Sequence, residues 1–260
     1  VKKIGLLIIT ICFLLVGCTK EYSKIEVKDS TKDSVENKVV SKEVKESKAI
    51  KEPKTIVIDP GHSSIGNSDK EPTAPGSNIL KAKDVHGATG TTTKIPEYKT
   101  VLNISLLLRS ELESRGYNVV MTKTKIDDSI SNIERANIGN NNNADLVMRI
   151  HCDASNDSGV NGASMQIPAN TKYTSLIYEK SKCYGETIIN TFSNSLGLKN
   201  RGVVYREDLT GFNWSNVPVV LLETGFLSNP KDDKFISDEN NHKIIAKAIA
   251  DGIDKSFLEK

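Results

Sequence analysis

Four residues of this 260-residue chain have side chains suited to acid–base or metal chemistry, three where apolar runs end and one where a helix begins. His62 follows Thr55-Ile56-Val57-Ile58-Asp59-Pro60-Gly61. His151 follows Asp145-Leu146-Val147-Met148-Arg149-Ile150, and Glu223 follows Pro218-Val219-Val220-Leu221-Leu222. Each run has strand length and is rich in β-branched or aliphatic residues. The fourth, Glu97, comes directly after Pro96, a good helix-starting residue. It lies four positions before Val101 and seven before Ile104, on the apolar stripe of the helix that follows. A carboxylate in a first turn is favoured by the helix dipole, but the dipole does not explain why it is on the apolar face. Two imidazoles and a carboxylate match the ligand set of catalytic zinc sites, which leave the fourth position to water.

These residues can cooperate only if the elements carrying them share an edge. Strand-length runs recur at 55–59, 117–122, 145–150, 163–167 and 218–222, with segments of helical period between several of them. Residues 97–115 place Val101, Ile104, Leu108 and Leu112 on one stripe, and Gly116 is a natural stop. Residues 239–258 repeat the pattern with Ile245, Ala248, Ile249, Ile253 and Phe257. The alternation predicts one α/β domain over 55–260, three layers deep, with a mostly parallel sheet and helices on both faces. Ligands bind such sheets beyond the carboxyl ends of the strands. Helix N-termini lie at that same edge, so Glu97 is expected to approach His62 and His151.

Competing chemistries lack their parts. The sequence has no GxSxG elbow, no phosphate-binding P-loop, no GxGxxG and no HExxH. Cys152 adjoins His151, but neighbouring strand residues point to opposite faces, so it is expected to be buried and inert. His86 lies in the Gly-, Ser- and Thr-rich stretch 63–96 and could touch substrate, whereas His242 is given no role.

The first fifty-four residues are of another kind. Lys2 and Lys3 precede an apolar run at 4–16, too short for a permanent membrane span but suited to a secretory leader. It ends Leu15-Val16-Gly17-Cys18, which resembles a bacterial lipobox and implies cleavage after residue 17 and lipidation of Cys18. Residues 19–54 hold ten lysines, eight acidic residues, one aromatic and no glycine. That composition cannot build a core, and a charged tether over 18–54 is expected. Leader and tether carry 12 basic and 8 acidic residues, leaving 23 against 25 in the domain. The basic balance therefore gives no case for nucleic acid. Cys12 lies in the leader, and Cys152 and Cys183 make no CxxC or disulfide framework.

The stretches IVIDPGH, PEYKTVLNISLLLRSELESRGYNVVMTK, ERANIGNNNNADLVMRIHCDAS and VPVVLLETGFLSNP together resemble the zinc-dependent N-acetylmuramoyl-L-alanine amidases of the amidase_3 type, over about 55–258. The resemblance implies that His62, Glu97 and His151 bind Zn2+ and that Glu223 is the catalytic glutamate. It also implies peptidoglycan as substrate, cut at the amide between N-acetylmuramic acid and L-alanine. The lipobox-like run adds the expectation of an extracytoplasmic protein, anchored to the cell membrane through Cys18, and a monomer is expected. A zinc peptidase acting on another cell-wall bond and a non-catalytic peptidoglycan-binding lipoprotein are the alternative readings. Two positions depart from the family pattern. Ser63 and Ser64 stand where glycines are common, and Arg149 stands where a small residue is common. Both departures are expected to alter the substrate groove.

Overall fold

The longest apolar runs build the centre of a six-stranded sheet. Residues 53–258 are described by the computed structural model; the leader, Cys18 and nearly all of the tether lie outside the described residues. In chain order, β1 (Thr55–Pro60), β4 (Asn118–Met121), β5 (Leu146–Asp153), β6 (Ala163–Pro168), β7 (Asn200–Arg206) and β8 (Val219–Phe226) assemble as β4-β1-β5-β8-β6-β7. The first four strands of that order run parallel to one another. β6 pairs antiparallel with β8, and β7 pairs parallel with β6, so these two run the other way. The sheet is thus mostly parallel, as expected, with one reversal at β6.

Alternation along the strands divides the core between two faces. Ile56, Ile58, Met148, Ile150, Val220 and Leu222 point to one face. There they meet α1 (Glu97–Ser114), α3 (Tyr178–Leu196) and α6 (Glu239–Leu258) through Ile104, Leu108, Phe192 and Ile249. Val57, Val147, Val219 and Leu221 point the other way, against Phe212 of α4 (Thr210–Asn213) and Ile138 of α2 (Asn132–Asn141). Helices therefore cover both faces, and the layer of α2 and α4 is the thinner. α5 (Pro230–Ser237) follows β8.

Local chemistry fixes the element ends that matter here. At the end of α1, Gly116 adopts φ 87° while the Tyr117 amide reaches back to the Leu112 carbonyl. α2 begins with a capping box, Ser131 accepting from the Glu134 amide and Glu134 from the Ser131 amide. The stretch 63–96, read from sequence only as a loop, contains an antiparallel pair, β2 (Asn67–Pro72) and β3 (Leu80–Asp84). That hairpin is tied down from outside: Glu71 accepts the Asn132 and Ile133 amides of α2, and Trp214 donates to the Pro72 carbonyl. Among the described residues, no helix is long and apolar enough to cross a membrane.

Candidate metal centre

His62, Glu97 and His151 converge, as their places at one sheet edge require. His62 Nε2, Glu97 Oε1 and His151 Nδ1 form a triangle with every side 3.1 Å. A tetrahedral ion with bonds of about 2.0 Å holds its ligand atoms about 3.3 Å apart, so the triangle has the size of one face of such a site. These three residues are the one grouping among the described residues that could hold a metal ion. His62 sits in the left-handed region at φ 61°. Its Nδ1–H donates to the Val85 carbonyl at 2.8 Å, which leaves Nε2 as a bare lone pair facing the triangle. Lys123 Nζ donates to the His62 carbonyl, and Arg135 Nη2 approaches it at 3.5 Å. These contacts hold a backbone conformation that costs a non-glycine residue on the order of 1 kcal/mol.

Glu97 is buried at the first turn of α1. Its Oε1 also accepts the Cys152 amide at 3.0 Å and its Oε2 the Ala88 amide at 2.8 Å. Burial works against its charge, but the contacts with His151 and His62 outweigh burial and hold the carboxyl well below the usual range. Burial lowers the His151 imidazole to about 4, so the ring is neutral and available as a ligand near pH 7. Gly87, at φ 77°, passes so close that a Cβ there would lie 2.5 Å from both Glu97 Oε2 and His62 Cδ2. The donor set, the triangle and the fixed His62 tautomer all fit a zinc ion.

Glu223 stands beside His151. The two are register partners on β8 and β5, and in paired parallel strands partners share a face. Both lie inside their strands, whereas the sequence reading ends the strands at 150 and 222. Glu223 Oε1 accepts from Gln166 Nε2 at 2.9 Å, and Gln166 Oε1 accepts from Arg206 Nη1 at 2.7 Å. Glu223 Oε2 is buried with no hydrogen-bond partner. Burial, then the negative charges of Glu97 and Asp153, push the Glu223 carboxyl well above its ordinary value.

The profile of the family described as N-acetylmuramoyl-L-alanine amidase matches residues 56–255. The chain belongs to this amidase family. It is 31% identical over 201 residues to a probable cell wall amidase, LytH, of Staphylococcus aureus, a match covering 77% of this chain and 57% of the relative. The chain thus spans little more than half the length of that curated relative. Among solved structures, the apo N-acetylmuramyl-L-alanine amidase Ami1 of Mycobacterium abscessus superposes with a TM-score of 0.71 at 26% identity, over 78% of this chain and 98% of that one. An N-acetylmuramoyl-L-alanine amidase from Clostridium difficile 630 gives 0.66 at 25% identity, over 81% and 100%.

Within this amidase-family fold the other candidates separate cleanly. Cys152 points away from the triangle into the core, its Sγ 3.2 Å from Thr224 Oγ1, and burial raises its thiol well above the ordinary value. Cys183 is exposed, and neither cysteine is bridged. His242 is a buried structural histidine whose Nε2–H donates to the Ile236 carbonyl. His86 is exposed and lines a surface cavity with Ile65 and Asn67, outside the triangle. Of the residues that depart from the family pattern, Ser63 and Arg149 are buried and Ser64 is half-buried. Ser63 Oγ donates to Asp84, and Arg149 Nε donates to Asp59 Oδ2 at 2.7 Å. Sequence reasoning missed Gln166, Lys123 and the Val85 carbonyl. The first two sit in runs that look like ordinary strand and loop, and a carbonyl carries no side-chain signal.

Proposed function

We propose that this chain is a zinc-dependent amidase that hydrolyses the bond between the lactyl group of N-acetylmuramic acid and L-alanine in peptidoglycan. The observation that carries the reading is the His62–Glu97–His151 triangle with an unpartnered, buried Glu223 oxygen on the neighbouring strand. Held by His62, Glu97 and His151, a zinc ion would supply Lewis acidity toward the scissile carbonyl and the attacking water. His62 and His151 offer ring nitrogens, and Glu97 brings one negative charge whose orientation is fixed by the Ala88 and Cys152 amides. Glu223 Oε2 takes a proton from the water as the C–O bond forms and returns it to the leaving nitrogen as the C–N bond breaks. Gln166 holds the other oxygen still, and the raised proton affinity of the buried carboxyl suits a group that must both accept and release a proton. A binding module has no use for a general base in this position, which favours the enzyme reading.

The lipobox-like run ending at Cys18 and the charged tether support an extracytoplasmic, lipid-anchored protein acting on the wall within the tether's reach. Thirty-six extended residues reach on the order of 120 Å. The test is release of free L-alanine amino termini from peptidoglycan, abolished by a chelator and restored by zinc. Cleavage that exposes a different amino terminus refutes the bond assignment. Cleavage insensitive to chelation refutes the metal.

A further inference from the structure

Arg149 is on the same face of β5 as His151, two residues upstream, and strand geometry sets their Cα atoms about 6.6 Å apart. The side chain is buried, 5% exposed. Its Nε donates to Asp59 Oδ2 at 2.7 Å and its Nη2 to Asn132 Oδ1 at 2.9 Å. The other oxygen of Asp59 is taken by Arg135 Nη1, also at 2.7 Å. Lys123 is a third buried cation; Asp59, Asp84 (3.9 Å from Arg135) and the half-buried Asp128 face these three, and the buried Glu223 carboxyl also interacts with Arg149. The hydrogen bonds of Arg149 engage Nε and Nη2, which leaves Nη1 for a ligand anion.

Two cavities meet over this guanidinium. One, of about 160 Å³, is lined by His62, His151, Arg135 and Arg149 among others. The second, of about 270 Å³, extends to Lys81, Asp208 and Thr210. They share Val85, Asn132, Arg149 and Leu209 as walls. The two cavities are thus adjacent across Arg149, one against His62 and His151 and the other reaching the surface pair Lys81–Asp208.

Resting on the amidase reading, we infer that Arg149 binds the α-carboxylate of the second stem-peptide residue and so sets the scissile amide against the metal centre. The small cavity that Arg149 lines together with His62 and His151 places an anion held by Arg149 within about two residues of the triangle. A buried, immobile guanidinium is suited to a carboxylate, which it meets as a fork rather than as a point charge. If Arg149 only tied Asp59 to the start of α2, its loss would destabilise the fold without selecting between substrates.

The test uses the full chain loaded with zinc and two soluble muropeptides that differ only in carrying an α-carboxylate or an α-carboxamide on the second stem residue. kcat and KM are measured for each, and binding of each to the Glu223→Gln chain is measured by calorimetry. The wild-type chain is expected to prefer the carboxylate by on the order of 10-fold or more in kcat/KM, the range for one charge-assisted contact. Binding should show the same order. Arg149→Gln is expected to bring the ratio to within about twofold of one. Should that variant fail to fold, Arg149→Lys, which keeps the charge and loses the fork, must still shrink the ratio. Equal turnover and equal binding of both muropeptides by the wild-type chain overturns the inference and leaves the amidase reading intact. Cleavage of neither overturns the amidase reading and this inference with it.

Discussion

Glu223→Gln separates catalysis from metal binding and from stability. The substitution preserves shape: the new side-chain carbonyl can still accept from Gln166 Nε2, and the amide nitrogen replaces the oxygen that lacks a partner. What it removes is the proton acceptor. Because Glu223 is not part of the ligand triangle, about one metal ion per chain should remain bound. The rate should nevertheless fall by roughly 10²–10⁴-fold, the usual worth of a positioned acid–base group. Stability should move the other way. Burial and the fields of Glu97 and Asp153 raise the folded-state proton affinity of Glu223 above that of the unfolded chain. A carboxyl with a raised folded pKa contributes fully below its unfolded pKa, and that contribution is lost as pH rises through the folded value. The metal-free variant should therefore melt at about the wild-type temperature near pH 4 and above it near pH 8. Relief on the order of 1 kcal/mol corresponds to a gain of roughly 2–4 °C for a domain of this size. Metal content by elemental analysis, L-alanine termini released per minute and thermal melts at both pH values make the measurement. The reasoning is refuted if the variant stays active, if it loses metal as the histidine variants do, or if its melting advantage is the same at both pH values.

His62→Ala and His151→Ala each remove one corner of the triangle, so metal content and activity should fall together; Glu97→Ala should follow with a smaller loss, since water can replace one oxygen. Lys123→Met removes the donor that holds the His62 carbonyl in its left-handed conformation and should weaken metal affinity by about 10-fold, read by competition with a chromogenic chelator. Cys152→Ala should keep activity within about twofold, since the thiol faces the core and not the metal; a thiol reagent that inactivates the wild-type chain would contradict this. Cys18→Ala should abolish fatty-acid labelling in cells while leaving turnover of soluble muropeptides unchanged, and a variant that still labels would remove the lipid anchor from the proposal.

The degree to which the site was legible depended on the kind of signal each residue carried. His62, His151 and Glu223 could be found because each ends an apolar run, where a polar side chain has no packing reason to be. Glu97 could be found because helical periodicity put a carboxylate on the stripe that Val101, Ile104 and Leu108 bury. The hairpin of β2 and β3 left no such trace. Its sequence does not alternate, and its pairing is supported by the α2 amide that Glu71 accepts and by Trp214, contacts more than sixty residues away. The reversed direction of β6 was equally hidden, since a strand of apolar residues reads the same in either orientation.

By itself, the sequence determined the class of fold, the three residues that converge and the glutamate on the strand beside them, because period and strand-end position follow from local patterns. Only the tertiary structure decided which atoms face one another. Running β6 against β8 brings Gln166 to Glu223, and the turn that forces His62 to φ 61° turns Nδ1 to the Val85 carbonyl and frees Nε2. It also set Arg149, Arg135 and Asp59 in one buried cluster beside the triangle. The pairing of β1 with β5 and the docking of α2 are long-range events, and their geometry depends on the whole sheet rather than on any stretch of sequence.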